Sequence, residues 1–159
     1  MMVLNVDSLV KIIGESSCDC DKCKEMCKRR TCWALPSEID KIIDAGFADK
    51  LMLDYWSGDP DFDLVCPSIK GSEMQRTPWM PTGECCLQKK DGHCELHAGG
   101  LKPVEARLSH CNDDEKIGDV FNKLHAAIAK EWDCDEGRKV IDRWKKIVNY
   151  DKRREYGVF

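Results

Sequence analysis

Apolar residues recur at helical spacing in several stretches, and between them the pattern dissolves into polar, cysteine-bearing segments. Leu9, Val10, Ile12 and Ile13 follow Asp7, a potential N-cap, and precede Gly14, which predicts a short first helix. A second helix is predicted from Pro36-Ser37, with Ser37 capping, Asp40 three residues on, and Ile39, Ile42 and Ile43 along one face up to a stop at Gly46. Phe47, Leu51 and Tyr55 continue a helical period through Phe47 to Trp56, which Ser57-Gly58-Asp59-Pro60 ends. From Asp61 to Pro81 the period weakens. Pro67, Gly71, Pro78 and Pro81 predict loops there, with one short strand at Phe62, Leu64 and Val65. Glu84 to His97 reads as a hairpin turning at Asp91-Gly92, which pairs Lys89 with Cys94 and Cys86 with His97. Ile117, Val120, Phe121, Leu124 and Ile128 predict one C-terminal helix, and Val140, Ile141, Trp144, Ile147 and Val148 a second, separated by a break at Asp133 to Asp135. The expected fold is α+β and mainly helical. It is one small domain over 1–159, with a cysteine-rich metal-binding region over 18–111 and a helical hairpin over 112–155. The two last helices are expected to pack over the cysteine hairpin, with Trp132 and Trp144 bridging them.

Composition changes this picture at one point. The 159 residues include 11 cysteines, far above ordinary intracellular usage, beside a formal charge of -4. An odd count, and an N-terminus without a basic region or an uninterrupted apolar run, predict a cytoplasmic protein whose thiols serve as ligands rather than cross-links. No apolar run approaches the length of a membrane span, and the acidic balance weighs against nucleic acid. Basic residues of the last helix and tail, among them Arg138, Lys139, Arg143, Lys145, Lys146, Lys152, Arg153 and Arg154, alternate with acids as on a solvated face. Any apolar surface left on the C-terminal helices is the expected contact for a protein partner.

Cys20, Cys23, Cys27 and Cys32 place four thiols on 13 residues, a density suited to a tetrahedral thiolate site on an irregular loop. Lys22, Lys24, Lys28, Arg29 and Arg30 surround them and are expected to lower the thiol pKa values. Cys66, Cys94, His97 and Cys111 form a pool for completing or adding a centre, joined by either Cys85 or Cys86, with Cys85 taken first. The member of that pair outside the centre is expected to be a small buried apolar residue. Cys18 is intermediate. Cys134 stands apart and is expected to cap or to pack, and His125 to lie on the surface or in the core.

Cys20-x2-Cys23-x3-Cys27, Gly83-Glu84-Cys85, Gly92-His93-Cys94-Glu95-Leu96-His97 and Leu101-Lys102-Pro103-Val104-Glu105-Ala106-Arg107 together resemble the YkgJ-like, CxxCxxCC-type cysteine-cluster family. The resemblance runs from about Cys18 to Cys111, and Ala106 stands where that family commonly has a cysteine. It implies metal binding by cysteine, with zinc ions or, alternatively, an iron-sulfur cluster as cofactor. It does not imply a reaction. Lys102, Glu105 and Arg107 are the expected supports of the centre, with a Glu105–Arg107 ion pair holding their loop beside it. Three functions follow: a zinc or iron-sulfur module whose centres order the fold, an iron-sulfur redox or catalytic protein, and an adaptor using the basic C-terminal helix.

Overall fold

The computed structural model describes residues 4–16, 18, 20–56, 62–77, 83–109 and 115–150, the side chains of 115–117 excepted. Cys111 and the tail from 151 lie outside the described residues, and with them the expectations placed there. The fold is α+β and mainly helical, as the periodicities predict. Among the described residues six α-helices, α1 (Val6–Ile13), α2 (Asp21–Cys27), α3 (Pro36–Asp44), α4 (Val104–Leu108), α5 (Glu115–Trp132) and α6 (Asp135–Ile147), accompany two antiparallel strands, β1 (Leu51–Trp56) and β2 (Phe62–Pro67).

Helix starts differ from expectation by a residue or two, for reasons of side-chain reach. Asn5, not Asp7, caps α1, its Oδ1 accepting from the Ser8 N–H at 2.9 Å. At α3 the N-cap is Leu35, whose N–H donates to Glu38 Oε1 at 2.9 Å, so Pro36 occupies the first helical position and Ser37 is already inside. Gly46 ends α3 as expected, at a φ of 93°.

The largest correction concerns Phe47 to Trp56. Only Ala48–Lys50 forms a single 3-10 turn, and Leu51 to Trp56 is a strand paired with β2 from Leu51↔Pro67 to Trp56↔Phe62. Leu51, Met52, Leu53 and Asp54 are all buried, which leaves no solvent-facing side for an amphipathic helix. A strand covered on both faces reads as an unbroken apolar run, and the spacing of Phe47, Leu51 and Tyr55 imitated a helix within it. Residues 75–77 add a further backbone partner, with the Leu53 N–H donating to Gln75 O at 2.8 Å and the Thr77 N–H to Leu53 O at 2.7 Å.

The C-terminal helices form where predicted. They pack on α1, α3 and β2. Trp132 and Trp144 anchor them, fully buried, each indole N–H donating to a carbonyl of the N-terminal half: Ala34 O at 2.8 Å and Ala48 O at 2.9 Å. Arg143 of α6 pairs with Asp40 and Asp44 of α3, and Arg138 with Asp135, so these cations are engaged locally. Between the helices Cys134 caps α6, its sulfur accepting from the Gly137 N–H at 3.5 Å.

Gly137 allows the close turn: a Cβ there would lie 2.3 Å from the Trp132 carbonyl oxygen. Gly137→Ala is therefore expected to destabilise the protein by about 1–3 kcal/mol, against the usual gain for alanine in a helix. A lowered urea midpoint at unchanged slope would show it, and an equal or raised midpoint would refute it.

Candidate metal centre

The thiol-rich region is built by stapling a turn onto a helix. α2 runs directly over Cys23 and Cys27, with Cys20 at its N-cap, so the expected irregular loop is a helix. The i, i+3, i+7 spacing of these cysteines places them along one helix face. Residues 83–94 are fastened to α2 and the residues just after it by two backbone hydrogen bonds, Gly83 N–H to Arg29 O and Cys85 N–H to Cys27 O, and by the Gln88 side-chain amide donating to Lys24 O, at 2.8 to 2.9 Å.

The turn in this segment differs from the expected one. Lys89 N–H donates to His93 O and Gly92 N–H to Lys89 O, and Gly92 takes a φ of 89°. This is a three-residue loop closed by a left-handed glycine, not a two-residue turn, and it shifts the register by one. Cys94 therefore bridges to Gln88 instead of Lys89, and one slipped residue exchanges the faces on which side chains emerge. Around this bridge the segment is a chain of turns rather than a strand pair.

Two groups of thiols result. Cys18, Cys20 and Cys23 have sulfurs all within 4.8 Å of one another, close enough to share a metal ion. The Cys20 and Cys23 sulfurs are 3.7 Å apart. Behind them, Cys27, Cys32, Cys85 and Cys94 line a cavity of about 80 Å³ that Cys18 and Cys23 also border. Of the four loop thiols expected to form one site, Cys20 and Cys23 thus fall in the outer group and Cys27 and Cys32 in the inner. Cys18 is the member that sequence reasoning left undecided. Its signal was the Cys18-x-Cys20 spacing just ahead of a helix start.

The remaining candidates separate by position. Cys85 lines the cavity, whereas Cys86 turns its thiol toward the Lys50 carbonyl at 3.3 Å. Cys66 is fully buried on β2 and faces Thr31 and Asp54, at 3.9 and 4.0 Å, rather than the shared cavity. His97 borders, with His93, a second opening of about 220 Å³ that reaches Cys18, Cys23 and Cys94.

Burial, not the neighbouring cations, governs these thiols. It pushes Cys27 and Cys94 up, Cys85 up to about 12, and Cys32 well above the ordinary range although that residue keeps some exposed surface. Mutual repulsion among the inner four adds to burial at Cys27, Cys32 and Cys85, and Lys102 opposes it at Cys27 and Cys94. The expectation that Lys22 to Arg30 would lower the thiol pKa values therefore fails for the inner group. An ion placed among these sulfurs would supply far more positive charge than Lys102 does, and would displace their protons.

Glu105 and Arg107 do not pair with each other. Two residues apart on α4, they point in different directions. Arg107 joins Glu15 at 3.0 Å and Glu38 at 2.6 Å, tying α4 to the start of α3. Glu105 is buried behind the inner cysteines, where it accepts from Arg30, from the Trp33 N–H at 2.6 Å and from His125 Nε2 at 2.9 Å. Burial raises its pKa, but these donors outweigh burial and hold the carboxyl below its ordinary value. His125 is thus a partly buried structural partner, and it stacks edge-on to Trp33 at 5.4 Å.

No family model, curated protein or solved structure matches the chain. Among the described residues no helix is long and apolar enough to cross a membrane.

Proposed function

We propose that this chain is a metal-binding protein whose outer and inner cysteine groups hold zinc and order its cysteine-rich region. One observation carries the reading: α2 buries none of its residues, yet its cysteines converge with those of two later segments on one cavity. A seven-residue helix with no fully buried residue has little apolar packing to offset its ordering cost, and isolated helices of that length are unstable in water. Metal ligation supplies the missing energy. Four sulfurs held about 2.3 Å from a zinc ion stand roughly 3.8 Å apart, and the Cys20–Cys23 separation of 3.7 Å fits that edge. His93, His97 and Cys27 border the adjoining opening as sources of a fourth donor. This function is also the one the YkgJ-like resemblance implies.

A second reading, an iron-sulfur centre at the inner thiols, is favoured by the inner cavity. Its 80 Å³ is several times the roughly 10–15 Å³ that one water needs, so it suits a polynuclear centre better than a lone ion. Metal analysis with an absorption spectrum, on protein purified without oxygen, separates the two. Colourless protein holding one or two zinc ions per chain is the expected result. Iron, sulfide and broad absorption near about 400 nm would replace zinc by the second reading, and protein with neither metal would overturn both.

A further inference from the structure

A second cavity, of about 300 Å³, lies on the other side of Glu105 from the cysteines, and the two share Arg30, Thr31 and Glu105 in their walls. Its lining is aromatic and acidic. Trp33 and Trp56 meet edge to face, with centroids 6.2 Å apart and planes at 70°, and Tyr55 and Asp54 complete that side. Two rings at such an angle form the corner of a box, the edge of one set against the face of the other.

Asp54 gives this box its sign. It is buried, and among the described residues its carboxylate accepts only from neutral donors: the Tyr55 N–H at 2.8 Å, the Trp33 indole N–H at 2.9 Å and, weakly, the Cys66 thiol. Among the described residues it forms no salt bridge, whereas Glu105 across the cavity is matched by Arg30 and His125. Arg76 acts on Asp54 through space, but its guanidinium bonds Asp63 at 3.1 Å. A buried carboxylate without a paired cation is costly. Aromatic faces lack the lone pairs a metal ion needs but attract a weakly hydrated cation.

We propose that the cavity of Trp33, Tyr55, Trp56 and Asp54 binds a compact organic cation carrying a methylated or quaternary ammonium group. The cation sits against the aromatic corner with Asp54 as its counter-charge, one wall away from the thiol cavity. The inference stands apart from the metal reading, because none of these four residues is a thiol ligand. Choline and its uncharged isostere 3,3-dimethyl-1-butanol are the probes, titrated at constant ionic strength into the full chain and followed by the tryptophan indole N–H resonances. Metal content is determined on the same samples, so loss of metal and loss of cation binding are read separately. Choline is expected to shift indole resonances saturably and to bind at least tenfold more tightly than the alcohol. Trp56→Leu and Asp54→Asn are each expected to weaken it about tenfold. Trp56 is only half-buried, so its variant keeps the test open if Asp54→Asn does not fold. No saturable shift up to about 50 mM choline, equal binding of the alcohol, or undiminished binding by Trp56→Leu would each overturn the proposal.

Discussion

Replacing Cys94 by serine is expected to remove metal from the inner centre and to leave most of the expressed protein insoluble. Cys94 lines the thiol cavity from the turn segment, together with Cys27 and Cys32, and a metal held there would link residues 83–94 to α2 in addition to the backbone bonds. Structural zinc contributes about 10–16 kcal/mol of apparent binding energy in small domains, comparable to the whole stability of a domain this size. A serine hydroxyl is a poor substitute for a thiolate, so the loss is a large part of that energy rather than a fraction of a kcal/mol. Cys86→Ser is the control. Its thiol bonds a backbone carbonyl instead, and the variant is expected to keep its metal and its solubility. Metal per chain and thermal melts with and without chelator distinguish the two, and Cys94→Ser retaining full metal and stability would remove Cys94 from the ligand set.

Glu105→Ala is expected to cost about 3 kcal/mol, with no thiol touched. The carboxylate is 1% exposed and joins three segments, through Arg30, the Trp33 N–H and His125. Arg30 is half-exposed and contributes little once screened by water. The cost arises from the Trp33 N–H and His125, which lose their acceptor in a buried place. Because the folded carboxyl titrates below its ordinary 4.5, its contribution is complete above that pH and is lost as pH falls through the lowered value. The gap in stability between wild type and Glu105→Gln should therefore be full at pH 7 and shrink as the pH is lowered well below 4.5. Urea melts across that range measure it, and a gap that stays constant with pH would show that charge on Glu105 is not the source.

Residues were legible in the sequence where one physical requirement dominated. The apolar stripes of α3, α5 and α6 face a single core, so helical period alone located them. The thiol density of Cys20 to Cys32 pointed to a cluster that could hold a metal ion. Misreadings occurred where burial on two sides or backbone turn type decided. Leu51 to Asp54 are covered on both faces, which erases amphipathic contrast. At Asp91-Gly92 the same two residues serve a two-residue or a three-residue loop, and the choice between them moved Cys94 by one register position.

The sequence by itself determined the mainly helical class, the C-terminal helical pair and the presence of clustered thiols, because periodicity and ligand spacing are local properties. Only the tertiary structure decided which thiols meet. Cys27 and Cys32 join Cys85 and Cys94 because backbone bonds draw a segment some 60 residues away onto α2, while Cys18 joins Cys20 and Cys23 at its mouth. It likewise placed Glu105 against His125 and opened the aromatic corner beside Asp54. These contacts join residues far apart in the chain, and their energy depends on burial, which no run of neighbouring residues encodes.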